Sequence, residues 1–347
     1  MHKRNLQRGF QLLLAAGICL GTLASTGAAD GPKAKADDTP AWLASAPAVE
    51  VPEGQPVQTT EQAALEEAAA RQSRAAVLLA GRDLTPEQKT ALSQRMGKDA
   101  ALLQKLEQGG LSRSDLLWLA LPNAHADRLD RYDAWAEAHP EDSRETTAFR
   151  VNCNGDQEFY SLIRETAEPD GLDVLVNKHY TLPASYVPEL EALGKGYGSG
   201  SLRPEAAQAF RAMADGARAD GISLRSVSAY RSYQAQKSTY NRYLRQYRQA
   251  VVDTFSARPG HSEHQTGLAL DINVASTRAH FENTPAFAWL KEHCAEYGFI
   301  LRYDQGKEDI TGYRFEPWHY RYVGTEIARA CMEQDLTYEE YLALAEP

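Results

Sequence analysis

The sequence predicts an α+β protein, in which a small antiparallel sheet is flanked by helices and preceded by an all-helical region. The chain has 347 residues, of which 43% are hydrophobic and 24% are charged, and this is enough for a sizeable core and two folded units. Before residue 142 the sequence carries only helical signals. From residue 149 onward, short runs of β-forming residues alternate with helical segments, and this change of pattern predicts the sheet.

The N-terminal residues have the pattern of a secretory signal. Lys3, Arg4 and Arg8 make a basic start, an apolar run covers residues 10–23, and small residues at 27–29 precede Asp30. Because the run is short for a bilayer span, we expect residues 1–29 to be a signal peptide that is cleaved near Ala29. The alternative is an uncleaved signal anchor, which is the only membrane contact that we expect. In either case the protein is extracytoplasmic.

The next segments are a tether and a helical region. Residues 30–58 are rich in Pro, Ala, Asp and Glu without an apolar period, so we expect a flexible tether. Helix-start patterns then predict helices over residues 59–79, 85–109 and 112–121, and a shorter helix over 127–138. The second pattern is the strongest, because Thr85 and Gln88 form a capping box and Pro86 suits the first helical turn. We assign no role to this region, residues 59–145.

The second predicted domain comprises residues 146–347. Its β-rich runs lie at 174–176, 222–227, 268–274 and 299–303, and helical patterns cover 204–219 and 233–251. In the second of these helices, Tyr233, Tyr240, Tyr243 and Tyr247 recur at helical spacing. Such a stripe predicts a packing face.

Charge and cysteine content exclude some classes of function. With 37 Lys and Arg against 47 Asp and Glu, the formal charge is −10, so no net positive field attracts nucleic acid. The signal segment contains Cys19, and Cys153, Cys294 and Cys331 remain after it. A bridge between Cys294 and Cys331 and three separate buried thiols are both compatible with an oxidising compartment. No Cys-x-x-Cys motif occurs, which argues against a cysteine-based metal or redox site.

Two short segments, residues 260–272 and 313–322, concentrate residue types that bind metals. In the first, apolar residues alternate with polar ones from Leu268 to Val274, so Asp271 lies on the face opposite the apolar layer. His264 precedes a turn predicted at residues 265–267, and a return of the chain can bring its imidazole beside that carboxylate. One His and one Asp make half of a zinc site.

The second segment offers the other half. Glu316 and His319 are three residues apart, and Pro317 between them interrupts a strand ladder, so a turn can present both side chains on one side. His264, Asp271 and His319 would give Zn²⁺ three ligands and leave a fourth position for water, with Glu316 as a neighbouring base. Taken alone, each of these residues is more often structural than a ligand. His261 is a rival ligand, but a structural or supporting role suits its loop position better.

An ordered set of motifs supports this interpretation and resembles a known family. The stretch from about residue 151 to 341 resembles zinc D-alanyl-D-alanine carboxypeptidases of the VanY type, which are relatives of vancomycin-resistance D,D-dipeptidases and of peptidoglycan L,D-carboxypeptidases. The segments that carry the resemblance are residues 175–178, 182–183, 186–188, 228–236, Ser262-x-His264-x-x-Gly267-x-Ala269-x-Asp271, 297–299, 306–308, 311–313 and 316–319. Two departures, Ala229 where many relatives carry Gly and Asp304 where Pro is usual, affect only local loop shape.

The resemblance implies specific roles for residues at matching positions. It implies that His264, Asp271 and His319 bind one Zn²⁺ and that Glu316 is the catalytic base. It also implies that Arg231 is catalytic and contacts substrate, with Gln236 and Ser262 nearby. Arg231 would pair with the C-terminal carboxylate of the peptide or with the developing oxyanion, and the sequence leaves both open.

The function that we expect is a secreted zinc D,D-carboxypeptidase, located in the cell wall or at the outer face of the cytoplasmic membrane. It would remove the terminal D-alanine from peptidoglycan stem peptides. Two alternatives remain open at this point. One is an L,D-carboxypeptidase that acts on tetrapeptide stems through the same metal centre, and the other is a wall-binding module without catalysis.

Overall fold

The computed structural model of the chain describes residues 60–274 and 280–345. The expected signal peptide at 1–29 and tether at 30–58 lie outside these residues. Within the described ranges, helices alternate with short strands after a helical start, so the α+β prediction is confirmed. No helix in these ranges is long and apolar enough to cross a membrane.

The N-terminal unit, residues 60–113, is helical. Its helices are α1 Thr60–Leu79, α2 Pro86–Lys98 and α3 Ala100–Glu107. The capping box predicted at Thr85 and Gln88 is present, with both reciprocal hydrogen bonds formed. The single helix predicted over 85–109 is wrong, because Asp99 is extended and its carboxylate accepts the N–H of Leu102 to start α3.

The second unit begins at residue 114 and includes the remaining described residues. Helix α4, Arg113–Leu119, starts at the last residue of the N-terminal unit. The other helices are α5 Leu129–Ala138, α6 Arg144–Asn152, α7 Pro204–Ala219, α8 Tyr233–Leu244, α9 Gln249–Val252, α10 Pro285–His293, α11 Glu308–Thr311, α12 Thr325–Gln334 and α13 Tyr338–Leu344. Its strands are β1 Arg164–Glu165, β2 Tyr180–Thr181, β3 Glu191–Ala192, β4 Ser201–Leu202, β5 Arg225–Ser228, β6 Ala269–Asn273, β7 Phe299–Leu301 and β8 His319–Tyr322.

The division between the units falls about 30 residues before the domain boundary expected between residues 145 and 146. Helices α5 and α6 share the helical composition of the N-terminal unit, yet residues around them pack on the C-terminal helix. The side-chain amides of Asn123 and Asn152 donate to the carbonyl of Ala343, at 3.0 and 3.2 Å. The amino-acid composition of this region therefore indicates its secondary structure, whereas the boundary between the units is determined by tertiary packing.

The central sheet has the strand order β5-β6-β8-β7 and is antiparallel throughout. Leu268, Leu270 and Ile272 are fully buried in the main core, together with Phe210 and Met213 of α7. Because side chains alternate along β6, Asp271 leaves this core and lies on the other face, as predicted. The core thus fixes which residues of β6 can reach a site on the other face.

Two sequence predictions in this unit are wrong. Residues 174–176 form no strand, although Val174 and Val176 are buried in the core. The carbonyl of Val174 instead accepts a hydrogen bond from the Arg321 guanidinium at 2.8 Å, which replaces a partner strand. The helix predicted over 233–251 is also interrupted, and it forms α8 and α9 with a break at 245–248.

The tyrosine stripe of α8 does not form one continuous packing face. Tyr240 is buried, and its hydroxyl donates to the Asp253 carboxylate at 2.6 Å. Tyr243 and Tyr247 instead approach Phe255 edge-on, with ring centroids 5.1 and 5.9 Å away, and Tyr247 is half exposed.

The three cysteines in the described ranges are free thiols. Cys294 and Cys331 are buried, and burial raises the pKa of each thiol to about 12. The structure therefore shows three separate thiols rather than a Cys294–Cys331 bridge, although Cys153 is only partly buried.

Candidate metal centre

Strand pairing brings two of the predicted ligands together. In the antiparallel pair β6–β8, Asp271 lies directly opposite His319. Residues at opposed positions point to the same face of a sheet, so the two side chains meet. His264 arrives from a 3₁₀ turn, Glu263–Thr266, that ends just before β6 at Gly267. Gly267 has a φ of +70°, which favours glycine and allows the tight return that the sequence predicted.

The three side chains form a compact ligand set. His264, Asp271 and His319 each offer one ligand atom, and these atoms lie within 4.8 Å of one another. The Oδ1 atom of Asp271 is 3.4 Å from His264 Nε2 and 3.2 Å from His319 Nδ1. Both imidazoles are buried, so a bound ion would be largely shielded from solvent on their side.

The outer nitrogen of each imidazole has its own partner. His264 Nδ1 donates to the carbonyl oxygen of Ala229 at 2.8 Å, and His319 Nε2 lies 3.4 Å from Glu263 Oε2. These contacts leave His264 Nε2 and His319 Nδ1 as the ring nitrogens that face Asp271 Oδ1. Two imidazoles and a carboxylate, oriented by carbonyl and carboxylate partners, are the donor set of a catalytic zinc site. The residues present therefore fit a zinc ion.

The buried carboxylates and imidazoles of the ligand set shift one another's pKa values. Burial by itself would raise the pKa of Asp271, but the neighbouring imidazoles outweigh burial and hold this pKa below its ordinary value. Burial lowers the pKa of His264. The pKa of His319 rises to about 9, because its hydrogen bonds to Asp271 and Glu263 outweigh burial. Two carboxylates that stabilise an added positive charge make this pocket suitable for a divalent cation.

Glu263 was missed by the sequence analysis. Its side chain is fully buried, and its Oε1 atom accepts from Arg302 Nε at 2.8 Å and from Arg321 Nη1 at 3.2 Å. Arg302 also forms a two-bond pair with Glu339 of α13, at 2.6 and 2.7 Å. The only sequence signal was an acidic residue directly before a candidate ligand, and that signal is weak without knowledge of the two arginines.

Glu316 lines the same cavity as the three ligands. It lies in the turn predicted at Pro317, where the N–H of His319 donates to the carbonyl of Glu316 at 3.0 Å, and the unpredicted strand β8 begins at His319. The backbone N–H of Glu316 donates to the carbonyl of Tyr303 at 3.0 Å, which fixes the turn. Burial raises the pKa of its carboxyl from 4.5 to about 7, and the negative charge of Asp271 adds to this effect while His319 opposes it. A carboxyl with this pKa can both take and return a proton near neutral pH.

Arg231 is fixed beside the ligand set. Its Nη1 donates to Gln236 Oε1 at 2.9 Å, and its Nη2 donates to Ser228 Oγ at 2.7 Å and lies 3.8 Å from Asp271 Oδ2. Gln236 is held in turn by its bond to the carbonyl of Ala257 at 2.6 Å. Arg231, Gln236 and the buried Ser262 line the cavity. All seven residues predicted from the sequence thus line one cavity, whereas His261 bonds Asn177 and lies outside its lining.

The cavity has a volume of about 520 Å³ and extends beyond these residues. We call the extension the outer arm and define it by Arg242, Tyr243, Tyr247, Phe255 and Arg314, which also line the cavity. The acidic residues of the lining, Glu263, Asp271 and Glu316, all belong to the inner end. The inner end of the cavity therefore contains the candidate metal ligands and Glu316, whereas the outer arm carries aromatic and basic side chains.

Comparison with known proteins places this geometry in context. A family model described as D-alanyl-D-alanine carboxypeptidase, VanY, matches residues 199–325. The protein YodJ of Bacillus subtilis, named as a carboxypeptidase, is 40% identical over 190 residues, which cover 50% of this chain and 67% of YodJ. A D-alanyl-D-alanine carboxypeptidase of Enterococcus faecalis is 36% identical over 211 residues, covering 58% of this chain and 73% of that protein.

One solved structure also shares the fold. The LdcB LD-carboxypeptidase has 37% sequence identity and a TM-score of 0.51, and the match covers 54% of this chain and 92% of that one. All seven predicted site residues fall inside the range matched by the family model, and Glu339 falls outside it.

Proposed function

This chain belongs to the VanY family of D-alanyl-D-alanine carboxypeptidases. From this membership and the cavity, we propose that it is a zinc-dependent D,D-carboxypeptidase that releases the terminal D-alanine of peptidoglycan stem peptides. One observation carries the proposal: a complete zinc ligand set, a carboxyl with a pKa of about 7 and a fixed guanidinium line the same cavity. The family relatives named as D-alanyl-D-alanine carboxypeptidases support the choice of substrate.

The metal would be held by His264, Asp271 and His319. When bound there, a zinc ion supplies a Lewis acid that lowers the pKa of water and polarises the scissile carbonyl. Ala229 and Glu263 keep the two imidazoles in the orientation that this requires, through the contacts at 2.8 and 3.4 Å.

Glu316 and Arg231 supply the proton transfers and the fixed positive charge that the reaction also requires. The Glu316 carboxylate takes a proton from the attacking water and then passes it to the leaving amine of D-alanine. Arg231 is immobilised by Gln236 and Ser228, so its guanidinium provides a fixed positive charge for the terminal carboxylate or for the oxyanion.

An L,D-carboxypeptidase activity on tetrapeptide stems is the second candidate. The observation that favours it is the likeness to the LdcB LD-carboxypeptidase. Zinc-loaded protein incubated with pentapeptide and with tetrapeptide stems separates the two by release of D-alanine. Release from the pentapeptide supports the first proposal, release from the tetrapeptide alone supports the second, and release from neither contradicts both.

The third candidate is not an enzyme but a wall-binding module without catalysis. Such a module has no need for one tightly held zinc ion per chain. Metal analysis of the purified protein therefore discriminates: one zinc per chain supports an enzyme, and a protein that neither contains nor takes up zinc supports the module.

We also propose that the protein acts outside the cytoplasm, in the cell wall or at the outer face of the cytoplasmic membrane. The basic start and apolar run of residues 1–29 support this location, and so does a substrate that forms the wall. The mass of the protein recovered from the producing cells tests it. Loss of about 29 residues indicates cleavage, the full-length mass in the membrane fraction indicates an anchor, and recovery from the cytoplasm contradicts the proposal.

A further inference from the structure

The outer arm extends the cavity along helix α8. Gln236, Thr239 and Tyr243 line the cavity and recur at three- and four-residue spacing, so they share one face of the helix. Gln236 bonds Arg231 at the inner end. At 1.5 Å per residue, the helix covers about 10 Å between Gln236 and Tyr243. The part of the arm at Tyr243 therefore lies about 10 Å along the helix from Gln236.

The arm presents two guanidinium groups on an aromatic wall. Arg314 lies 4.6 Å from the ring centroid of Phe255, and Arg242 lies 5.4 Å from that of Tyr243. Among the residues that the structure describes, neither guanidinium has a carboxylate within ion-pair distance. Both arginines are exposed, so their charge is available to a ligand.

The stretch of sequence that contains Arg242 is rich in basic residues. Residues 222–262 contain seven Arg and Lys residues and one acidic residue, Asp253, in a chain whose net charge is −10. Asp253 is already occupied, because it pairs with Arg258 at 2.8 Å. Of these seven, Arg231 and Arg242 line the cavity, so with Arg314 the lining carries three guanidinium groups in an otherwise acidic protein, and such a cluster attracts anionic ligands.

We propose that the outer arm binds a carboxylate-bearing residue of the substrate, about three residues before the scissile bond. This inference rests on the proposed function, and it narrows the substrate class to acidic stem peptides. An extended peptide advances about 3.3–3.6 Å per residue, so three residues span the distance from the inner end to the arm. The guanidinium groups of Arg242 and Arg314 pair with the carboxylate, and the aromatic wall packs against the adjoining apolar part of the peptide.

Two matched pentapeptides test the proposal with the zinc-loaded full chain. Both end in D-Ala-D-Ala, and their second residue is γ-linked D-glutamate in one and its α-amide in the other. We expect kcat/KM for D-alanine release to be about three- to tenfold higher for the carboxylate peptide, mainly through KM, because exposed charge pairs contribute modestly. This preference should weaken as the salt concentration rises.

Variants assign the preference to the arm. The double variant Arg242→Gln with Arg314→Gln should bring the ratio between the two peptides close to one. Arg245→Gln is the matched control, since Arg245 caps the same helix and is exposed but does not line the cavity, and it should keep the ratio of the unmodified protein.

The possible failures are distinguishable. Equal cleavage of both peptides by the unmodified protein overturns the inference and leaves the proposed function standing. A double variant that keeps the preference overturns it as well. Cleavage of neither peptide overturns the proposed function, and the inference with it.

Discussion

The carboxylate of Glu263 lies 3.4 Å from Nε2 of His319, on the side of the imidazole that faces away from Asp271. Glu263 immediately precedes a second candidate ligand, His264, and is buried with two arginines on its other oxygen. One carboxylate thus connects two ligands of the candidate centre to the charged interior of the protein. The partners of ligand imidazoles fix ring orientation and raise ligand basicity.

We therefore predict that Glu263→Gln weakens zinc binding. The amide lacks the charge that orients His319 and balances Arg302 and Arg321, so zinc affinity should fall about 10- to 100-fold. Competition with a chromophoric chelator measures the dissociation constant, and the visible spectrum of the Co²⁺-substituted protein reports the ligand geometry.

Glu340→Gln is the matched control for this variant. Glu340 is also a buried acid and pairs with Lys307 at 3.1 Å, in helix α13. Its replacement should lower the free energy of unfolding without changing zinc affinity. If both variants weaken zinc binding equally, the effect of Glu263 is general destabilisation and the positioning role is wrong.

Turnover should depend on Glu316 far more than metal binding does. Glu316→Gln preserves the shape of the side chain but cannot take a proton, so kcat should fall about 10²- to 10⁴-fold. Zinc content, measured on the same sample, should remain at one ion per chain. Simultaneous loss of zinc would make Glu316 a ligand, and near-normal turnover would exclude it as the base.

The raised pKa of Glu316 also has a consequence for stability. The folded metal-free protein holds this proton up to about pH 7, whereas the unfolded chain releases it near pH 4.5, so folding is progressively disfavoured as the pH rises between these values. The Gln variant lacks this penalty. Its free energy of unfolding should exceed that of the unmodified protein by up to about 3 kcal/mol above pH 7, and the difference should vanish below pH 4.5.

Urea denaturation of both metal-free proteins across this pH range measures the difference. The difference should rise with pH between 4.5 and 7 and stay constant above 7. A difference that is independent of pH would show that Glu316 is ionised normally in the folded protein.

The parts of the site that the sequence predicted are those with local signals. Alternation along residues 268–274 placed Asp271 off the core face, and Pro317 marked the turn before His319. Glu263 could not be found in this way, because its partners Arg302 and Arg321 lie 39 and 58 residues later in the sequence. The strand predicted at 174–176 is absent for a similar reason, because the carbonyl of Val174 bonds the side chain of Arg321 instead of a neighbouring strand. Local periodicity does not encode such tertiary partners.

The rate of hydrolysis should depend on the planar, forked guanidinium of Arg231 as much as on its positive charge. Arg231→Lys retains a positive charge but cannot bond Gln236 and Ser228 while facing the substrate. We expect kcat/KM to fall about 10- to 100-fold, which corresponds to the loss of one charged hydrogen bond. Arg225→Lys, an exposed position on β5 outside the cavity, is the control and should have normal kinetics. If Arg231→Lys has normal kinetics, a positive charge at this position is sufficient and the geometry of the guanidinium is not required.

Two glycines beside β5 provide the last prediction. Gly198 and Gly196 both have positive φ, +105° and +100°, but a Cβ on Gly198 would lie 2.1 Å from the Ser226 carbonyl oxygen, whereas one on Gly196 meets nothing within 4 Å. Gly196→Ala should therefore cost only the backbone strain of about 1–2 kcal/mol, and Gly198→Ala should cost about 1–3 kcal/mol more, because β5 must move. β5 ends at Ser228, which holds Arg231, so the second variant should also lower kcat/KM. Urea denaturation and D-alanine release measure both effects, and equal behaviour of the two variants would show that the backbone at residue 198 does not position β5.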